Sequence, residues 1–583
     1  MPPGKSLDDY RQVWLCDFEF TPRPGDPPLP VCMVAQEYRT GQTLRLWEDE
    51  LRSRREAPFP TGPDSLFVAY FVPAELSCFL ALGWPLPRRI LDLFVEFRNR
   101  TNGLALPHGT GLLGAMAWYR LDALGVAEKK GLQELAIRGG PWSQAERKAL
   151  LAYCGTDVEA LSRLLPAMLP ELDLPRAILR GRYMAAVARM EAAGIPVDVE
   201  TLTRLRESWE PIQERLIREL DGGFGVYEGR SFRIERFERF LVHHAIAWPR
   251  TASGRLRLDD LTFKGMGRSH PALASIRRIR DELAQLRLSG LEVGSDGRSR
   301  VMLLPFRTKT GRNMPSNSRY IFGMASWLRS LVRPEPGRAI AYLDWSQQEF
   351  GIGAALSRDS AMIQAYESGD PYLAFGKQAG LIPPSGTKQT HKVEREGCKV
   401  CVLGVGYGME AASLARRIGR PPAYARQLLQ LHRETYPRFW AWGDGAETHA
   451  MLNGQLQTVF GWSLRTTGEV NPRSLRNFLC QGNGSELLRL ACCLTTERGF
   501  QVIAPVHDAL VVEAEAGSIE EIVAETQECM ARASEAVLGG FRLRSDVEII
   551  RYPDRFQDER GVEFWGRIMA VLENVEGIPV GTI

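Results

Sequence analysis

The sequence predicts an α/β module with a mixed sheet in residues 1–172, followed by a larger α+β region in residues 173–583. Three observations carry this division. Gln12 to Phe20, QVWLCDFEF, is an apolar strand interrupted by two acids, and a periodic helix, LLAYCGTDVEALSRLL from Leu150, closes the module. Two later apolar strands, AIAYLDWSQQEF from Ala339 and QVIAPVHDALVVE from Gln501, each deliver a carboxylate, with long helical stretches between them. At the boundary, Leu169 to Arg176, LPELDLPR, brackets a short acidic step with two prolines.

Composition sets bounds without naming a partner. The 583 residues, 44% hydrophobic and 25% charged, suit two to four soluble globular domains. A formal charge of +3 requires any nucleic-acid surface to come from local clustering. Ten of the 73 basic residues are lysines, and five of these, Lys309, Lys377, Lys388, Lys392 and Lys399, fall between positions 309 and 399, a hint that a mobile point charge is preferred there. The ten cysteines lie in apolar surroundings, as reduced thiols of a cytoplasmic protein do, and Cys398-x-x-Cys401 lacks a second ligand pair, so packing is expected there and not zinc. The N-terminus MPPGKSLDDY carries no apolar signal region and no run reaches membrane-spanning length, so neither export nor a membrane role is expected.

In the first module, Asp17 and Glu19 are two apart on a strand and share a face, where they repel unless a cation is present. Tyr153 and Asp157 stand one helical turn apart. That pair resembles the third motif of the DEDDy class of 3′–5′ proofreading exonucleases. The resemblance implies an RNase H-like fold in which Asp17, Glu19 and Asp157 hold two Mg²⁺ ions and Tyr153 orients the attacking water. The second motif of that class supplies an aspartate from a helix after a strand; here SLFVAYFVPAELSCFLALGW offers Glu75, one methylene longer. Asp92 is expected to be structural or auxiliary. The proline-rich Arg23 to Pro30 is expected to be a surface loop.

Beyond the boundary, Tyr183 to Leu220 reads as two helical segments split by Gly194-Ile195-Pro196, and Arg277 to Arg287, RRIRDELAQLR, as a basic amphipathic helix suited to a phosphate backbone. Asp344 sits directly behind a buried strand, a costly place for a charge unless a cation waits there, and Gln347 and Glu349 follow in a polar turn. The step His507-Asp508 between two apolar half-strands brings a second carboxylate to a hairpin turn. Between these acids, Arg395, Lys399, Leu403 and Tyr407 recur every four residues before Gly408, so two cations and a ring line one helix face. Arg473, Asn477 and Gln481 form a second four-residue stripe.

In this order and spacing, the three stretches resemble motifs A, B and C of the family A DNA polymerases, the group of bacterial DNA polymerase I and many phage enzymes. The resemblance implies a right hand: a thumb over about 173–300, a palm over about 301–350 and 450–583, and fingers over about 351–449. Asp344 and Asp508 would bind two Mg²⁺; Arg395 and Lys399 would hold the triphosphate, Tyr407 would stack near the templating pair, and Leu403 would stand beside the sugar with Gln347 nearby. Glu349 would exclude a ribose 2′-hydroxyl. Arg312, in Thr310-Gly311-Arg312, would read the primer end, and Arg473, Asn477, Gln481 and His507 would contact DNA. The expected activity is primer extension with dNTPs on a DNA template, joined to 3′–5′ proofreading, by a monomer without a 5′ nuclease domain. Departures from the family pattern are Tyr372 for histidine, Leu403 for an aromatic, Ala509 for glutamate after Asp508, and a shortened polar segment after Asn313. Two other readings stay open: a single-subunit RNA polymerase, against which Glu349 speaks, and a DNA-binding accessory protein with silent sites.

Overall fold

The computed structural model describes residues 6–122, 126–267, 269–284, 288, 290–466 and 471–577. It forms two compact units, one of Met1–Gly194, Met302–Met314 and Gly337–Ile549, the other of Ile195–Val301, Pro315–Pro336 and Ile550–Ile583.

The first unit begins with strands β1 (Gln12–Arg23), β2 (Asp26–Glu37), β3 (Thr43–Trp47), β4 (Ser65–Ala69) and β5 (Ile90–Asp92) in the order β3-β2-β1-β4-β5. The first three are antiparallel neighbours and β4 and β5 run parallel to β1, which is the mixed sheet expected. Helices α1 (Pro73–Ala81), α2 (Leu93–Thr101) and α3 (Gln144–Met168) pack around it. In α3, Leu150, Cys154, Val158, Leu161 and Leu165 recur at helical spacing and close the core over Val13 and Leu15 of β1. The stretch Arg23 to Pro30 departs from the surface-loop expectation. It forms the tip of the β1–β2 hairpin, where register shifts between Glu19 and Phe20 and between Thr21 and Arg23 let the prolines stand beside the ladder.

Helix α4 (Leu174–Ala193) starts from an Asp173 cap on the Arg176 N–H and stops at Gly194, whose φ of 65° suits glycine. Strand β6 (Arg338–Trp345) then leads into α5 (Gln348–Ser357) and α6 (Ser360–Glu367). Helices α7 (Lys392–Gly406), α8 (Pro422–Thr435) and α9 (Pro437–Asn453) follow. Next come a hairpin of Gln455–Gln457 with Ser463–Arg465 and the long helix α10 (Pro472–Glu497). Strands β7 (Gln501–Val506), β8 (Ala509–Glu515) and β9 (Ser545–Arg551), with helix α11 (Ile519–Val537) between the last two, complete a sheet ordered β7-β8-β6-β9.

By its position α4 should open the thumb, but it lies in the first unit, against α1 and β5 and against α10 and β7. It is buried along most of its length, from Leu174 to Met190 with Arg180 included, so it is covered on several sides. Its approach is close: a Cβ on Gly181 would overlap the Ile90 carbonyl. The junction between the N-terminal module and the β6 sheet is also polar and buried. Arg180 of α4 clamps Glu96 of α2 through two bonds of 2.6 and 2.7 Å, and Asn102 donates to the carbonyls of Lys309 and Ser463, both at 2.7 Å.

The second unit is built on helices Trp209–Asp221, Ile234–His243 and Pro271–Ala284 around Phe237, Phe263, Leu273 and Ile276. In the basic stretch from Arg277, that residue pairs with Asp260 at 2.5 Å and Arg280 lies 4.4 Å over the Phe263 ring; residues 285–287 fall outside the described residues.

Candidate active site

Antiparallel pairing of β6 with β8 sets Asp344 opposite Ala509, the residue after Asp508, so the two aspartates end at the same edge of the sheet. The β7–β8 turn is tight, and His507 takes a φ of 54° within it and stands exposed. The Arg312 guanidinium donates to Asp508 at 2.6 Å. Burial first, then the negative charges of Asp508 and Asp546, push the Asp344 carboxyl up to about 7, while a bond from the Trp345 N–H works the other way. Asp546, near the start of β9, is a third acid here that sequence reasoning missed. Its signal, a lone aspartate in the charged stretch FRLRSDVEII, is indistinguishable from a solvated strand end.

The turn after Asp344 is held from outside. Gln347 caps α5 with a left-handed φ of 49° and no side-chain capping bond, a conformation costing a non-glycine residue roughly 1–3 kcal/mol unless its surroundings enforce it. Two residues on, Glu349 accepts from the Tyr407 hydroxyl at 2.7 Å, and Gln481 of α10 donates to that hydroxyl at 3.2 Å. Motif A, the end of α7 and the polar stripe of α10 are thus joined in one network.

On α7, Arg395 bonds to Asp370 at 2.6 Å and Glu396 at 2.9 Å and lies 5.6 Å over the Tyr372 ring. Lys399, half-buried one turn on, forms no ion pair among the described residues. Leu403 and Tyr407 continue the face, 37% and 47% exposed, leaving apolar and aromatic surface open beside the two cations. The thiols of Cys398 and Cys401 are buried on the opposite side, as packing requires. On α10, Asn477 is half-buried, and exposed Arg473 is ion-paired with Glu410.

The N-terminal acids also gather. Strand β4 pairs with β1 only as far as Leu15 and Val68, and beyond it the Phe18 N–H donates to Glu75 of α1 at 2.9 Å. Glu75 therefore sits buried between Asp17 and Glu19; burial and then those two charges hold its carboxyl well above the usual range. On α3, Cys154 donates to the Asp17 carbonyl at 3.1 Å, which lays the Tyr153–Asp157 face on β1. Burial and then Asp157, Glu19 and Asp17 raise the Tyr153 phenol. Asp92 is structural: it accepts from the N–H groups of Phe71, Val72, Phe94 and Val95, joining the turn after β4 to the start of α2.

Among the described residues, no three His, Cys, Asp or Glu side chains form a cage of their own for a metal. This does not oppose Mg²⁺ at Asp344 and Asp508. That ion takes one or two carboxylates with water and substrate oxygens, and a crowded all-oxygen donor pair suits it. Among the described residues, no helix is long and apolar enough to cross a membrane.

Residues 304–549 match the model of a family described as DNA polymerase family A. DNA polymerase I of Aquifex aeolicus is 26% identical over 438 residues, 67% of this chain and 73% of that protein. A thermostable DNA polymerase I of Thermus thermophilus is 26% identical over 437 residues, 68% of this chain and 50% of that protein. The DNA polymerase of Mycobacterium phage D29 is 24% identical over 446 residues, 71% and 70% of the two chains. The chain thus spans about half the length of the Thermus relative. In fold, it is similar to the POL domain of Pol1 from M. smegmatis, solved in complex with DNA primer-template and dNTP, with a TM-score of 0.68 at 17% identity over 94% of this chain and 98% of that one. The motif geometry, the matched region and these relatives agree: over residues 304–549 the chain is similar to the family A DNA polymerases.

Proposed function

We propose that the protein extends a primer 3′-hydroxyl with dNTPs on a DNA template. The observation that carries this reading is the convergence of Asp344 and Asp508 at one sheet edge, with Arg312 on Asp508 and Glu349 tied to Tyr407 of the cationic helix. Two Mg²⁺ ions, when bound, would lower the pKa of the primer hydroxyl and neutralise the departing pyrophosphate. Asp344 and Asp508 would hold them, with oxygen donors of the right hardness. Arg395 and Lys399 bring positive charge to the triphosphate, which competes with Asp370 and Glu396 for the Arg395 guanidinium. Glu349 fills the space a ribose 2′-hydroxyl would need, and Tyr407 offers a ring to the templating pair. Arg312 and the stripe Arg473, Asn477, Gln481 suit the minor groove, whose acceptors vary little between correct pairs.

A second activity, 3′–5′ excision, is favoured by the gathering of Asp17, Glu19, Glu75, Tyr153 and Asp157 around β1. There Asp17, Glu19 and Asp157 would hold Mg²⁺ and Tyr153 would orient water, with Glu75 supplying an acid whose one oxygen is already bonded to backbone.

The test is a primer-extension gel with wild type, Asp344→Ala and Asp17→Ala, supplied with dNTPs or NTPs. Extension with dNTPs that Asp344→Ala removes supports the polymerase; preference for NTPs, or extension indifferent to Asp344, refutes it. Shortening of a mismatched end that Asp17→Ala leaves unchanged refutes the exonuclease.

A further inference from the structure

We propose that Tyr366, Arg544 and Asp546 form a clasp that positions the turn between Asp344 and Glu349, and thereby sets how strictly the pocket distinguishes deoxyribose from ribose. The inference rests on the polymerase reading above and adds to it residues outside the three motifs.

Every hydrogen-bonding group of Ser346 is held by this clasp. Its N–H donates to the Arg544 carbonyl at 2.9 Å, its hydroxyl to Asp546 at 2.7 Å, and its carbonyl accepts from the Tyr366 hydroxyl at 3.1 Å. The three holders also lock one another. The Tyr366 hydroxyl accepts from the Arg544 N–H at 3.0 Å, the Arg544 guanidinium donates to the Tyr366 carbonyl at 2.8 Å, and it lies 4.6 Å over the Tyr366 ring. Tyr366 is 2% exposed, so its hydroxyl has no water to fall back on.

The clasp grips the chain where constraint is needed. Ser346 is two residues past Asp344, and the left-handed Gln347 follows with no capping bond of its own. The first turn of α5 rests on the same group: a Cβ on Gly351 would lie 3.1 Å from the Tyr366 ring and overlap Leu543. Glu349 therefore has two anchors, its carboxylate at Tyr407 and its backbone on the clasp. Excluding one hydroxyl is a steric test, and such tests depend on placement to within about 0.5 Å. The turn that sets this placement is fixed by α6 and β9, not by its own residues.

The experiment measures kcat and KM for single-nucleotide addition of a dNTP and the matching NTP, with wild type, Tyr366→Phe and Ser346→Ala in the full chain, and the thermal midpoint of each. Tyr366→Phe removes two bonds without changing ring volume. Its expected result is a fall of about tenfold in the dNTP over NTP ratio of kcat/KM, the size that loss of positioning by one or two hydrogen bonds produces. Ser346→Ala removes only the Asp546 bond and shifts the ratio the same way, by less. A lower thermal midpoint with an unchanged ratio overturns the clasp as a specificity device. Should Tyr366→Phe not fold, an unchanged ratio in Ser346→Ala overturns it alone. A wild type that extends no primer overturns the polymerase reading and this inference together, whereas an active wild type with unmoved ratios sinks only the clasp.

Discussion

At the edge of β6 and β8, Asp508 is met by the guanidinium of Arg312, and Asp344 is crowded by two other aspartates. On β1, Glu75 is wedged between Asp17 and Glu19 and is met by a single backbone N–H. Both places concentrate acid on a strand, at the end of β6 and midway along β1, but they relieve it differently. On the proposed polymerase reading, the Arg312 side chain can release Asp508 when DNA binds. The Phe18 N–H belongs to the sheet and stays, so at the N-terminal site relief falls to protonation of Glu75 or to an arriving cation. The acids of β6 and β8 are thus placed to exchange partners, and the N-terminal acids to wait for one.

The largest expected effect separates the two places outright. Asp344→Ala should lower primer extension by at least about 1,000-fold, the loss that follows from removing several kcal/mol of transition-state stabilisation, and should leave 3′ shortening unchanged. Loss of both activities in a folded variant would dissolve the contrast. Next, Glu96→Ala strands Arg180 in a buried junction and should cost about 3–5 kcal/mol in denaturant unfolding. A cost near zero would mean that the two modules do not share stability. Asp17→Ala should reduce excision of a mismatched nucleotide by about 100-fold, with extension intact, on a gel that reads both directions.

A pH measurement sharpens the comparison by removing a background. Burial holds the His432 imidazole down to about 3, and Trp440 donates to its Nδ1 at 3.1 Å. Between pH 6.5 and about 3 the unfolded chain binds the proton that the folded chain refuses, so this stability is present above 6.5 and lost as pH falls. His432→Phe should recover roughly 2–3 kcal/mol near pH 4.5 relative to its effect at pH 7.5, read from urea midpoints. The smallest effect concerns Glu75→Gln, which keeps an acceptor for Phe18 but carries no charge. Its thermal midpoint in chelator at pH 8 should rise slightly, because burial and two like charges oppose the native carboxylate. A fall would show that the charge itself stabilises the strand.

Much of this was legible in the residues. The strand that delivers Asp344 and the helix that carries Arg395, Lys399 and Leu403 are legible from local pattern, whereas Glu349 lies in the first turn of α5 and not in the expected polar turn. The burial of Cys398 and Cys401 follows from their apolar surroundings, and the mixed sheet from the family resemblance. What escaped was tertiary. Asp546 and Tyr366 acquire meaning only when β9 lies beside β6, a pairing across 200 residues that leaves no mark in either stretch. The tip of the β1–β2 hairpin was hidden because prolines speak for loops unless register shifts make room for them. Position alone puts helix α4 in the thumb, whereas its burial against α1, β5, α10 and β7 is a tertiary fact that its four arginines do not announce.

The clamp of Arg180 on Glu96 and the close seat of Gly181 against Ile90 have a consequence for traffic between the two proposed sites. The N-terminal module is riveted to the sheet that bears Asp344, not hung from a hinge. If it trims errors, the scissors cannot swing over to the mistake: the frayed strand must peel away and make the journey itself.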